Sequence, residues 1–165
     1  LSRIKKVNFK LWDGKKHIHD FCDIFIISGS RILDTSFANN KKIINVHPGI
    51  IPLVRGLDAF KWAILNNQPL GNTLHIINQE VDKGEILMIQ YTPVFSSDTI
   101  FTVAQRHYEM ELNLLTNFLD YKDNRIEPFH IEKPPTMRMN NENENKIIDN
   151  FDNWKNKIMQ FNFEK

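Results

Sequence analysis

Asn45 and His47 stand two residues apart at the end of an apolar run, KIINVH, and Asp82 follows thirty-five residues later. An amide, an imidazole and a carboxylate together can donate, accept and hold protons near neutral pH. Alternation along an extended strand puts Asn45 and His47 on one face. In open α/β sheets, ligands bind beyond the carboxyl ends of strands, and this pair lies at such an end. Pro48 fixes the chain exit and biases His47 toward an extended backbone. Asp82 sits in the turn Val81-Asp82-Lys83-Gly84. The intervening helix and strand can return it to His47. Each residue also has a plainer reading. A histidine at a strand end is commonly structural, Asn45 can simply end its strand, and Asp82 can accept local turn N–H groups. A metal-assisted hydrolase built on His47, His75 and Asp82 is a second chemistry, but no H-x-x-x-H spacing or cysteine cluster supports it.

The elements that must position these residues follow from periodicity. DIFIIS, residues 23–28, is a short continuous apolar run, as in a strand buried on both faces, and KIINVH is a second. LDAFKWAILNN changes to a helical period, with Leu57, Phe60, Trp62, Ile64 and Leu65 apolar, and Asn66, Asn67 and Pro69 end it. GNTLHIINQE reads as a strand with Leu74 and Ile76 on one face, and EILMIQYTPVF resumes extended structure after the Asp82 turn. Ser97-Asp98-Thr99 caps a helix from Ile100 to about Leu119, with Phe101, Val103, Ala104, Tyr108, Leu112 and Leu115 apolar. The alternation predicts an α/β layered domain. Its early strands read as parallel, and the pair around Asp82 as antiparallel because the turn is short. From Tyr121 onward, Pro128, Pro134 and Pro135 mark an irregular strap. Ile147, Ile148, Phe151, Trp154 and Ile158 then predict an amphipathic helix docking back on the body. Disorder of the NNENEN run is the competing expectation. The division is a core over residues 1–121 and a strap plus helix over 122–165.

Composition narrows the function classes. The chain has 165 residues, 41% of them hydrophobic, and a formal net charge of +1. One domain with a real core is expected, and no global field favours nucleic acid. No apolar run is long enough to span a bilayer. The basic N-terminal stretch is too polar for a signal peptide. The single cysteine, Cys22, reads as a small buried hydrophobe, and a disulfide framework within one chain is excluded. A reducing, cytoplasmic setting is the expectation. The chain begins with Leu rather than Met, as a trimmed chain, a fragment or a numbering of observed residues would.

The run Asn45-Val46-His47-Pro48-Gly49-Ile50-Ile51-Pro52-Leu53-Val54-Arg55-Gly56, followed by Val81-Asp82-Lys83-Gly84, resembles the 10-formyltetrahydrofolate-dependent formyltransferase family. That family's signature reads approximately N-x-H-x-S-L-L-P-x-x-x-G, then an Asp in a D-x-G turn. LGNTLHIINQEVDKG is similar to its G-x-T-x-H stretch, and SGSRIL to the segment lining its folate pocket. The resemblance covers roughly residues 22–120. It implies a Rossmann-like α/β fold with a mainly parallel sheet, late antiparallel strands and, here, no visible N-terminal Gly-rich half. Either upstream residues are missing, or the chain is a degenerate relative lacking that first half. It implies 10-formyltetrahydrofolate as formyl donor, no metal, and a small-molecule amine as substrate. Asn45, His47 and Asp82 are then the catalytic residues. The folate would lie against Ser30, Arg31, Ile32, Leu33, Val81 and Asp82, and the amine substrate near Gly49, Ile50, Arg55, Gly56 and His75. Amide and imidazolium N–H groups would hold the oxyanion formed when an amine attacks the formyl carbon, each donor being worth about 3 kcal/mol. Asp82 would orient His47, raise its pKa and help remove the amine proton.

Among the family's substrates, the short tail and near-neutral charge speak against the methionyl-tRNA enzymes, which add a C-terminal barrel. Gly49 stands where the glycinamide ribonucleotide enzymes usually carry Ser. HPGIIPLVRGLDAFKWAI and the tail look most like the small enzymes that formylate amino sugars on nucleotide carriers. Phosphoribosylglycinamide formylation and a catalytically inactive binding module are the alternatives. Neither nucleic acid nor membrane is expected as a partner, and homodimerisation is left open.

Overall fold

The computed structural model describes residues 24–27, 42–78, 82–128, 131 and 133–163, with side chains to residue 160. Four strands form one sheet: β1 (Ile24–Ile27), β2 (Lys42–His47), β3 (Gly71–Ile76) and β4 (Ile86–Tyr91), in the order β1-β2-β3-β4. Three helices accompany them: α1 (Ala59–Leu65), α2 (Ile100–Thr116) and α3 (Asn141–Phe163), with a 3-10 turn at Phe118–Asp120.

The sheet is mixed. β1 and β2 run parallel; β2–β3 and β3–β4 are antiparallel. The antiparallel pair around Asp82 is as the short turn requires. The β2–β3 pairing differs from the expected mainly parallel sheet. The chain leaves the end of β2 through an irregular loop and the seven-residue α1, and re-enters beside β2 in the opposite sense.

Alternation divides the sheet into two faces. Ile44, Val46 and Leu74 pack with Leu87 and with Leu114 of α2. Asn45, His47, Thr73 and His75 lie on the opposite face, with Asn45 registered against His75 and His47 against Thr73. Thr99 caps α2 by accepting from the Thr102 N–H, and the Thr102 hydroxyl accepts from the Thr99 N–H, a reciprocal box. The preceding Asp98 holds Arg106 through two bonds of 2.7 and 2.8 Å, and these keep its carboxyl well below the usual carboxylate range. Phe101 and Tyr108, read from the sequence as part of the apolar face, are exposed, whereas Val103, His107 and Leu114 are buried.

The expected C-terminal helix forms, and it includes the Asn/Glu run. Ile147, Phe151, Trp154 and Ile158 join Ala63, Ile64, Leu70 and Val103 in one core; Ile148 faces out. Trp154 is fully buried and donates its indole N–H to the Gln68 carbonyl at 3.0 Å. Lys155 bonds the Asp98 carbonyl, 2.9 Å, next to the start of α2. Before α3, residues 133–139 run along the loop that enters α1. Trp62 donates to the Met137 carbonyl, and the Asp58 carboxylate accepts the Met139 N–H at 2.9 Å. Cys22 lies outside the described residues. No helix among the described residues is long and apolar enough to cross a membrane.

Candidate active site

The loop between β2 and α1 is built as framework. Ile50, Ile51 and Val54 are buried, and the Ile51–Pro52 peptide is cis. Thr73, fully buried on β3, donates its hydroxyl to the Gly49 carbonyl at 2.7 Å and accepts the Ile51 N–H at 3.1 Å. This clip fixes the chain just past His47.

His47 is 4% exposed. Its Nε2–H donates to the Val54 carbonyl, 2.9 Å, and its Nδ1 faces Asp82 Oδ2 at 3.5 Å. The second contact is an ion-pair distance rather than a hydrogen bond, attractive when the ring is protonated. Burial nevertheless lowers the His47 pKa; the Asp82 carboxylate and the Val54 carbonyl oppose that shift, and the Arg55 charge adds to it. In this arrangement Nε2 is engaged by the Val54 carbonyl and Nδ1 faces the Asp82 carboxylate.

Asp82 reaches the cluster from the β3–β4 turn with φ +48°, a left-handed conformation that a turn Asp tolerates. Its Oδ2 accepts the Gly56 N–H at 2.8 Å, and its Oδ1 lies 3.9 Å from His75 Nε2. The turn depends on Gly84, where a Cβ would sit 1.5 Å from the Ile76 carbonyl oxygen. The Asn45 amide donates to His75 Nε2 at 3.3 Å. With that nitrogen accepting, the His75 ring is neutral, and burial first, then the charge of His47, push its pKa down to about 4. Asn45 is half-buried and keeps its second amide hydrogen for another partner.

The structure thus brings Asn45, His47, His75 and Asp82 into one cluster, with Gly56 joining through its backbone N–H. Three residues expected near a substrate have other surroundings. Ile50 is 1% exposed and packs against Gly71, so it is a core side chain. Arg55 is buried, and its guanidinium donates to the Lys133 carbonyl of the strap. At Gly49 a Cβ would lie 2.5 Å from the Val54 oxygen and 2.7 Å from His47 Nε2; the absent side chain makes room for the His47–Val54 bond. Ser30, Arg31, Ile32, Leu33 and Val81 lie outside the described residues.

Local patterning missed Thr73 as a clip, Thr136 of the strap, and His107. His107 is buried on α2, shares a 2.7 Å hydrogen bond with Thr92 Oγ1, and has its pKa lowered to about 4, chiefly by burial. Its place on the inner face of α2 was a usable signal, since Val103 and Leu114 share that stripe at helical spacing. Among the described residues, no group of three or more His, Cys, Asp or Glu side chains is placed to hold a metal ion.

The mixed sheet thus carries an amide and an imidazole at the end of β2, with a carboxylate brought beside them by the β3–β4 turn. Residues 23–119 match the formyl transferase family, and the chain belongs to that family. It is 33% identical over 96 residues to the phosphoribosylglycinamide formyltransferase of Haemophilus influenzae, covering 56% of this chain and 45% of that protein. It is 33% identical over 81 residues to the methionyl-tRNA formyltransferase of Anaplasma marginale, covering 48% of this chain and 27% of that one. Among solved structures, a sugar N-formyltransferase from Shewanella sp. matches with TM-score 0.55 and 32% identity, over 67% of this chain and 46% of that chain. The formyltransferase PseJ from Anoxybacillus kamchatkensis matches with TM-score 0.62 over 88% of this chain and 79% of that chain; at 22% identity this is a likeness of fold. The chain spans less than half the length of the curated relatives named here.

Proposed function

We propose that this chain carries the catalytic residues of an enzyme that transfers a formyl group from 10-formyltetrahydrofolate to the primary amine of a nucleotide-linked amino sugar. The observation that carries the reading is the Asp82 carboxylate, 3.5 Å from the His47 imidazole and 3.9 Å from that of His75, with Asn45 alongside. In this mechanism the neutral amine attacks the formyl carbon, a C–N bond forms, and the carbonyl π electrons move onto oxygen. Asn45 gives its remaining amide hydrogen to that oxyanion. The protonated His47, tied to Val54 and Asp82, stabilises the same charge through its field. Asp82 takes the proton from the resulting ammonium, directly or through a water. The oxyanion electrons then reform the carbonyl, the bond to the folate nitrogen breaks, and that nitrogen takes the proton held by Asp82 as it leaves. Burial of His47 opposes its protonation, so the pair needs the Asp82 charge to be held close.

The sugar reading is supported by the Shewanella sugar N-formyltransferase, a match at 32% identity over 67% of this chain. The purine enzyme is the second reading, favoured by the 33% identity to that same Haemophilus protein. Folate contacts at Ser30 to Leu33 and Val81 belong to the proposal by resemblance. Incubating the purified protein with 10-formyltetrahydrofolate and either a UDP- or dTDP-linked amino sugar or glycinamide ribonucleotide separates the two. Formylation of the nucleotide sugar is expected. Turnover of glycinamide ribonucleotide alone would reverse the assignment.

A further inference from the structure

The peptide joining Arg55 to Gly56 is held from both ends. Its N–H donates to Asp82 Oδ2 at 2.8 Å. Its carbonyl accepts two bonds from Thr136, the backbone N–H at 2.7 Å and the side-chain hydroxyl at 2.7 Å. The same hydroxyl lies 2.7 Å from the Leu57 carbonyl, and the Leu57 N–H donates back to the Thr136 carbonyl at 2.9 Å. Gly56 has φ +92°, and a Cβ there would lie 2.4 Å from the Thr136 carbonyl oxygen, so both the dihedral and the close approach require glycine. Bonds in series through one amide polarise one another: donation to the Arg55 carbonyl strengthens the Gly56 N–H as a donor.

We propose that Thr136 is a positioning residue for the site: by gripping the Arg55–Gly56 peptide, the C-terminal strap holds the Asp82 carboxylate against His47. The proposal rests on the reading that His47 and Asp82 are the working pair. It turns the strap from a packing element into the far end of a chain of contacts, Thr136 to Arg55–Gly56 to Asp82 to His47. The charged and titratable groups felt at His47 are Asp82 from the turn, Arg55 from the loop, His75 from β3 and His107 from α2. Thr136 carries no charge, so its hydroxyl acts on His47 only by moving one of these. Losing the Asp82 contact lowers the His47 titration; a retreat of Arg55 would raise it.

The test follows the His47 imidazole by NMR against pH in the full chain, in wild type, Thr136→Val, Thr136→Ala and Thr136→Ser. The Val and Ala variants should move the His47 titration to lower pH, Ser should restore it, and Asp82→Asn should move it further the same way. With substrates present, Val and Ala should lower kcat about tenfold, with each KM within about twofold, as expected of a misplaced rather than missing group. Two folded hydroxyl-free variants that titrate like wild type, or that titrate upward, would overturn the proposal. The titration needs no substrate, so absence of formyl transfer by the wild type would remove the functional reading and leave this test standing.

Discussion

Replacing Gly49 by Ser tests the placement of His47. The Gly49 backbone does not lie in the left-handed region, where Gly56 does, so space rather than dihedral angle decides the residue here. A Cβ at position 49 would meet the Val54 oxygen at 2.5 Å, His47 Nε2 at 2.7 Å and the Ala59 Cβ at 3.0 Å. Two of these contacts are closer than such atoms tolerate, and the Val54 oxygen belongs to the backbone and yields little. Overpacking of this kind costs about 1–3 kcal/mol. Pushing the ring off the Val54 carbonyl forfeits a buried hydrogen bond, about 1 kcal/mol more. The lower entropy of the unfolded Ser chain returns about 0.5 kcal/mol. The net cost is roughly 1.5–3.5 kcal/mol. At about 2–4 °C per kcal/mol for a chain of this size, the melting temperature should fall by roughly 3–14 °C. The Ala variant should lose nearly as much, because the Cβ and not the hydroxyl makes the clash. Thermal unfolding measures the cost, and the exchange-protected His47 imidazole N–H resonance reports whether the Val54 bond survives. A Ser variant that melts within 1 °C of wild type and keeps that resonance would refute the geometry.

Further consequences concern stability. His75 and His107 have pKa values lowered by burial to about 4, against about 6.5 in the unfolded chain. The unfolded state therefore binds more protons between these values, and stability should fall as pH drops from about 6.5 to about 4, by up to on the order of 3 kcal/mol per ring. Denaturant unfolding of His107→Gln should show a shallower loss over that interval; an unchanged slope would mean that His107 stays protonated in the fold. Trp154→Ala removes a fully buried indole and its bond to Gln68, and should cost about 3–5 kcal/mol in urea unfolding. A cost below about 1 kcal/mol would show that α3 is not docked as described.

Much of the site was legible because its signals are local. A period of two puts Asn45 and His47 on one face, and the Asp82–Gly84 turn announces a return of the chain. Helical spacing located α3 and four of its five apolar contacts; Ile148 broke the pattern because a stripe has edges and periodicity does not mark which edge meets solvent. The unread part depends on partners distant in sequence. Thr136 meets Arg55 across 81 residues, and Gly56 meets Asp82 across 26, through backbone atoms that every residue carries. No residue type signals a backbone carbonyl as a partner, so the Val54 acceptor of His47 was invisible too. Gly49 was read as a substrate clue because Ser is usual there in the family it resembles, whereas a Cβ at this position would meet His47 and Val54. Arg55 was read as a charge for a ligand, yet the strap takes it up. The α/β class was clear from strand and helix alternation, but the sense of β3 is a matter of which strand edge it pairs with, and no local pattern marks that.

The most direct measurement is single-turnover formyl transfer from 10-formyltetrahydrofolate to the nucleotide-linked amino sugar by wild type and by Asp82→Asn. Loss of the proton acceptor, with the side chain's shape retained, should slow the chemical step by about 10²–10⁴-fold at saturating folate. An Asp82→Asn protein that transfers the formyl group within threefold of the wild-type rate would contradict the account.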